Sequence, residues 1–294
     1  MDRIVVFLNG GRGMAVVKAV HKAGHGIDAI VVPAAKAGAL SGEIEGLGLA
    51  CWPVENVNDD AFIAELAARS PQLVLVAGFS TILRQPVLDV PALGAINLHG
   101  GRLPEYRGGS PLNWQIINGE GRIGISVLRV DEGIDTGDIL AEGGFEIGAD
   151  SDIAEVHERA NGLFPQLVLE VLERFDRGEH AGRKQSRDEG GYWHQRNEGD
   201  GRLRWERMTA RQVHDLVRAV TRPYPGAFGF RGDDKIRVFE TGLPEMRIHG
   251  VPGRVCYVQG QGPFVVCSDR AVLLRDYHIE NEADGRLRHG VHLT

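Results

Sequence analysis

Short apolar runs alternate with helix-like stretches through the first 170 residues, and only an α/β sheet covered on both faces accommodates that pattern. Residues 4–8, 27–32, 72–78, 94–98 and 123–130 read as strands, and Leu73-Val74-Leu75-Val76 shows the unbroken apolar character of a strand with no solvent face. A glycine-rich turn, Asn9-Gly10-Gly11-Arg12-Gly13, separates the first strand from a helix carrying Val16, Val17 and Val20. Asn58 is expected to cap a helix bearing Phe62, Leu66 and Ala67. Ser151 opens a long helical region with Ile153, Val156, Leu163, Leu167, Val171 and Leu172 as apolar positions, which Pro165 is expected to kink or divide. The fold class is therefore α/β, a doubly wound, mostly parallel, Rossmann-like sheet.

The character changes near residue 178. Residues 178–204 are polar and glycine-rich and read as a connector. Thr209 with Gln212 three residues later forms a capping-box pattern ahead of Val213, Leu216, Val217 and Val220, and Pro223-Tyr224-Pro225-Gly226 ends that helix. Short strands at 236–239, 253–258, 264–267 and 271–274, separated by glycine turns, predict a small β-barrel or sandwich. The expected organisation is a domain over 1–180, a connector over 181–204 and a smaller β domain over 205–294.

Composition removes several functional classes. No run of about 18 apolar residues marks a membrane span. The chain enters its first strand at Ile4, so no signal peptide is expected to precede it. Three cysteines, Cys51, Cys256 and Cys267, lack metal spacing and fit free thiols in a cytoplasmic protein; Cys256 and Cys267 alternate with apolar residues as core thiols do. A net charge of −7 argues against a polyanionic partner, and the densest basic cluster, Arg183-Lys184 with Arg187, is short.

Chemistry concentrates at Asn97-Leu98-His99-Gly100-Gly101 and at Asp135 in Asp131-Glu132-Gly133-Ile134-Asp135-Thr136-Gly137-Asp138. An amide can hold a developing oxyanion, an imidazole can manage a proton, and a carboxylate can orient the imidazole. Asn97 and His99, two apart at a strand end, point to the same side. A lone histidine is more often structural; this one has an amide partner and two glycines that admit close approach of a ligand. The glycine loop at 10–13 lacks the acidic residue at the end of strand two that dinucleotide binding requires. The 131–138 loop lacks the terminal bidentate glutamate of a calcium hand, and the remaining histidines show no metal-ligand grouping, so no metal is expected.

At these residues the chain resembles the folate-dependent formyltransferases. Asn97-Leu98-His99-Gly100, Leu103-Pro104-x-Tyr106-Arg107-Gly108, Pro111-Leu112-Asn113-Trp114, Gly124-Ile125-Ser126 and Asp135-Thr136-Gly137-Asp138 carry the resemblance, and Pro223-Tyr224-Pro225-Gly226-Ala227-Phe228 resembles the entry to that family's C-terminal domain, which implies that residues 205–294 form an open β-barrel, OB-like. Gly101 stands where many members have serine, Arg102 where leucine is usual, and Gly109 where some sugar-modifying members carry arginine. The resemblance implies N10-formyltetrahydrofolate as co-substrate, bound by Thr81, Ile82 and Leu83 and by Asp131, Glu132, Gly133, Ile134 and Asp135. It also implies catalysis by Asn97 and His99 as oxyanion donors, with Asp135 raising the pKa of His99.

Residues 33–40 are short and nearly uncharged, where the resemblance to methionyl-tRNA formyltransferases would place a basic insertion. With the net charge, and with Pro111-Leu112-Asn113-Trp114 and Leu203-Arg204-Trp205 resembling the amino-sugar enzymes, the expected acceptor is a nucleotide-linked amino sugar of the kind used for lipopolysaccharide O-antigen. The expected partners are folate and nucleotide sugar, with no nucleic acid, and a homodimer follows from the resemblance alone. A tRNA acceptor, another small amine such as a hydroxylated ornithine, and a non-catalytic folate- or nucleotide-binding role are the alternatives. Tyr192, Trp193 and Tyr224 are candidates to stack on a base or sugar, or simply to pack.

Overall fold

The computed structural model describes residues 1–186, 188–280, 282 and 285–294; Arg187 of the basic cluster lies outside the described residues. Two compact units divide the chain, one of residues 1–108, 124–145 and 159–192, the other of residues 109–123, 146–158 and 193–294.

The first unit is built on β1 (Ile4–Leu8), β2 (Ile27–Pro33), β3 (Cys51–Val54), β4 (Leu73–Ala77), β5 (Ala95–His99), β7 (Arg122–Arg129) and β8 (Ile139–Glu146), with the two-residue β6 (Arg107–Gly108) between β5 and β7. The sheet order is β3-β2-β1-β4-β5-β7-β8. The first five strands are parallel, and β7 pairs antiparallel to β5 with His99 opposite Ser126. Winding outward from β1 in both directions gives the doubly wound sheet that the alternation predicts. β1 and β4 are buried along their whole length, which is why their sequences carry no polar face.

Helices α1 (Gly11–Lys22), α2 (Ala34–Glu45), α3 (Asp60–Ala68) and α4 (Gln85–Leu88) connect the early strands. Gly13 lets α1 lie close on the sheet, since a Cβ there would meet Leu8 and the Ala77 carbonyl oxygen. The cap of α3 differs from expectation by one residue: Asp59 Oδ1 accepts from Phe62 N at 2.7 Å. Asn58 instead ties down a neighbouring segment, donating to the Ile82 carbonyl (2.9 Å) and accepting from Arg84 N (2.8 Å). Pro165 lies inside one continuous helix, α6 (Ile153–Asp176), so it does not divide it.

The second unit holds α5 (Pro111–Ile117), α7 (Ala210–Val220) and, after the two-residue β9 (Tyr192–Trp193), a five-stranded sheet of β10 (Ala227–Arg231), β11 (Asp234–Gly242), β12 (Val255–Val258), β13 (Gly262–Val266) and β14 (Ala271–Ile279). Its order is β10-β11-β14-β13-β12, all antiparallel. The capping box of α7 is present: Thr209 Oγ1 accepts from Gln212 N (3.2 Å) and Gln212 Oε1 accepts from Thr209 N (2.9 Å). Cys267 is buried and its thiol is pushed up to about 12 by that burial, whereas Cys256 is only half-buried, so just one of the two expected core thiols is fully inside. Among the described residues no helix is long and apolar enough to cross a membrane.

Candidate active site

Asn97 and His99 lie within the last three residues of β5 on one face of the strand. Asn97 reaches the wall of a cleft of about 250 Å³, and among the described residues its side-chain amide has no hydrogen-bond partner. The same wall carries Thr81, Ile82 and Leu83 after β4, and Asp131, Glu132, Gly133, Ile134 and Asp135 after β7. Every residue expected to touch the folate is thus gathered in one place, together with Phe79, Leu128 and Val130. The glycine loop at 10–13 contributes nothing to this wall, and its Gly13 acts in helix packing.

His99 is 5% exposed and joins the cleft through Asp135. Its Nε2–H donates to the Tyr106 carbonyl oxygen at 2.6 Å, and Nδ1 lies 3.4 Å from Asp135 Oδ2. A carbonyl only accepts, so Nε2 carries a hydrogen, and the Nδ1–Oδ2 edge is where a transferable proton can sit. Gly101 makes this clamp possible: a Cβ there would stand 2.6 Å from His99 Nε2 and 2.5 Å from the Tyr106 oxygen. Ser126 Oγ donates to the Gly101 carbonyl at 2.9 Å and fixes the loop from the opposite strand.

Because β7 runs opposite to β5, its last residues travel away from His99, and the loop after it must double back to bring Asp135 in. Asp135 sits at φ 53°, a left-handed conformation that costs a non-glycine residue about 1–2 kcal/mol. Its Oδ2 accepts from Gly108 N at 2.9 Å. Asp131 is spent inside the same loop, accepting from Gly133 N (3.1 Å) and Thr136 Oγ1 (2.7 Å). Gln185 Nε2 donates to the Asp135 carbonyl at 2.9 Å. The supporting roles of Gly108, Tyr106 and Gln185 were not readable in the sequence, because the first two act through backbone atoms and the third lies in a segment that reads only as a connector. Of the aromatic candidates, Trp193 packs on Trp114 (ring centroids 4.9 Å apart), Tyr224 meets His157 Nε2 at 3.0 Å, and Tyr192 is exposed above Arg107.

The open α/β sheet thus presents an amide, unpartnered among the described residues, beside a histidine–carboxylate pair, groups suited to holding an oxyanion and moving a proton. Residues 2–172 match the formyl transferase family and residues 197–285 match the formyl transferase C-terminal domain. The methionyl-tRNA formyltransferase of Citrifermentans bemidjiense is 36% identical over 75% of this chain and 68% of that enzyme, and that of Syntrophus aciditrophicus 32% identical over 86% and 78%. The N-formyltransferase from Helicobacter canadensis, solved with folinic acid and dTDP-3-aminofucose, superposes with a TM-score of 0.73 at 14% identity, covering 94% of this chain and 99% of that one. The chain belongs to the formyl transferase family and is a formyl-transferring enzyme.

These relationships overturn the expectation of a nucleotide-sugar acceptor and an O-antigen role. The relatives that share sequence over most of the chain are named for methionyl-tRNA, whereas the sugar enzyme shares the fold alone. Two physical features misled the reading. Net charge sums over the whole surface and does not report where basic residues lie, so it cannot exclude a tRNA partner. Residues 33–40, read as a shortened loop, are largely the first turns of α2.

Proposed function

We propose that this protein transfers the formyl group of N10-formyltetrahydrofolate to the α-amine of methionine carried on tRNA. One observation carries the reading: an unpartnered amide and the carboxylate of a histidine–carboxylate pair line a single cleft in a chain related by sequence to methionyl-tRNA formyltransferases. Ile82 and Ile134 are both strongly exposed on the cleft wall, as suits a site that takes a flat ring system between apolar surfaces. The Asn97 amide donates to the oxyanion that develops when the amine attacks the formyl carbon. The His99–Asp135 pair takes the proton shed by the amine and supplies one to N10 as it leaves. One C–N bond forms, one breaks, and a single proton moves from the acceptor nitrogen to N10. The three free cysteines suit a cytoplasmic setting.

The test is release of tetrahydrofolate from N10-formyltetrahydrofolate with methionyl-tRNA, run beside uncharged tRNA and free methionine. Turnover is expected only with the charged tRNA, and His99→Asn should lower kcat by about 10²–10⁴-fold. Equal turnover with free methionine, or none with methionyl-tRNA, would remove the acceptor assignment.

A further inference from the structure

Gln185 lies between the two stretches that match the family, outside both. Its amide makes four hydrogen bonds. Nε2 donates to the carbonyl oxygens of Asp135 (2.9 Å) and Gly137 (2.7 Å), and Oε1 accepts from Arg107 Nε (3.0 Å) and Nη2 (2.9 Å). Two donors and two lone pairs are all that an amide offers, so this side chain has one satisfied orientation. Arg107 is itself buried, with further bonds to the carbonyl oxygens of Ser186 and Glu189. A buried guanidinium needs such partners, which is what draws the connector onto this loop. The residue after it, Gly108, donates its N–H to Asp135 Oδ2. Asp135 is therefore gripped twice from Arg107–Gly108, directly at its carboxylate and through Gln185 at its main chain. Its left-handed backbone at φ 53° persists only where the surroundings over-determine it.

We propose that Gln185 is a positioning residue for formyl transfer, holding Asp135 in the conformation that brings Oδ2 to His99 Nδ1. The proposal rests on the reading of Asp135 as the carboxylate of the proton-handling pair. Gln185→Glu separates the two ends of the amide: the oxygens still accept from Arg107, while the donor facing two carbonyls becomes an acceptor. The variant should lose about 10- to 100-fold in kcat for tetrahydrofolate formation with methionyl-tRNA. The double variant with Asp135→Asn should be no slower than Asp135→Asn alone, because Gln185 acts through that carboxylate. The ¹⁵N resonance of His99 Nδ1, which needs no acceptor, should move in Gln185→Glu in the direction it moves in Asp135→Asn. If Gln185→Glu fails to fold, Gln185→Asn, with the same polar groups one methylene short, carries the same test. Wild-type kcat in a folded Gln185 variant, or an independent further loss in the double variant, overturns the proposal while an inactive Asp135→Asn leaves the site reading standing. An active Asp135→Asn overturns the site reading and the proposal together.

Discussion

Gly101 is the residue whose lack of a side chain the setting of His99 depends on. With a Cβ 2.6 Å from His99 Nε2 and 2.5 Å from the Tyr106 oxygen, either the imidazole or the carbonyl must move, and the bond between them is the one that fixes the ring. Gly101→Ala should lower kcat by about 10- to 100-fold and leave KM for the formyl donor little changed, since the residue is not on the cleft wall. Steady-state kinetics would check this, and unchanged kcat would mean that the ring does not need the Tyr106 carbonyl. Asn97, His99 and Asp135 were legible in the sequence because their chemistry resides in their side chains. Gln185 and the Tyr106 carbonyl were not, because a hydrogen bond to a backbone oxygen leaves no pattern in residue type, whether it spans 7 residues or 50.

At the scale of elements, burial decided what could be read. The central strands β1, β4 and β5 announce themselves as apolar runs. Of the strands longer than two residues, those that the sequence did not reveal are β3 and β8, the two edges of their sheet, and β10, one edge of the other, whose opposite edge β12 was read. An edge strand has one unpaired side and tolerates residues that a central strand refuses, such as Pro53 in β3 and Gly143 and Gly144 in β8. Helix α2 was missed for a related reason: only Leu40 and Ile44 are buried, and two glycines interrupt the pattern. Helix α7 was read because its start is chemically explicit. Thr209→Ala removes the acceptor for Gln212 N and should destabilise the protein by about 1 kcal/mol. In thermal unfolding this corresponds to a fall of about 2–4 °C, and a midpoint within experimental error of wild type would show that the box contributes nothing.

For the molecule as a whole, the pH dependence of stability follows from a histidine that takes no part in the cleft. His214 on α7 is 3% exposed, with Nε2–H donating to the Ala149 carbonyl (3.0 Å) and Nδ1 accepting from Thr241 Oγ1 (2.9 Å). Burial pushes its pKa below the ordinary value of 6.5, against the opposing pull of the Ala149 carbonyl, Asp150 and Asp215. The folded protein therefore keeps this ring neutral at a pH where the unfolded chain has already bound a proton. Stability from this group is fully present above about pH 6.5 and is lost as pH falls through the interval between that value and the lower folded pKa, at no more than about 1.4 kcal/mol per pH unit. His25, also lowered chiefly by burial, adds a slope of the same sign, so the wild-type curve alone does not isolate His214. His214→Gln keeps a donor and an acceptor but cannot titrate. The stability of wild type relative to this variant should decline steadily from pH 7 to pH 5 in urea unfolding, whereas a difference constant across that range would mean that His214 binds protons equally in both states.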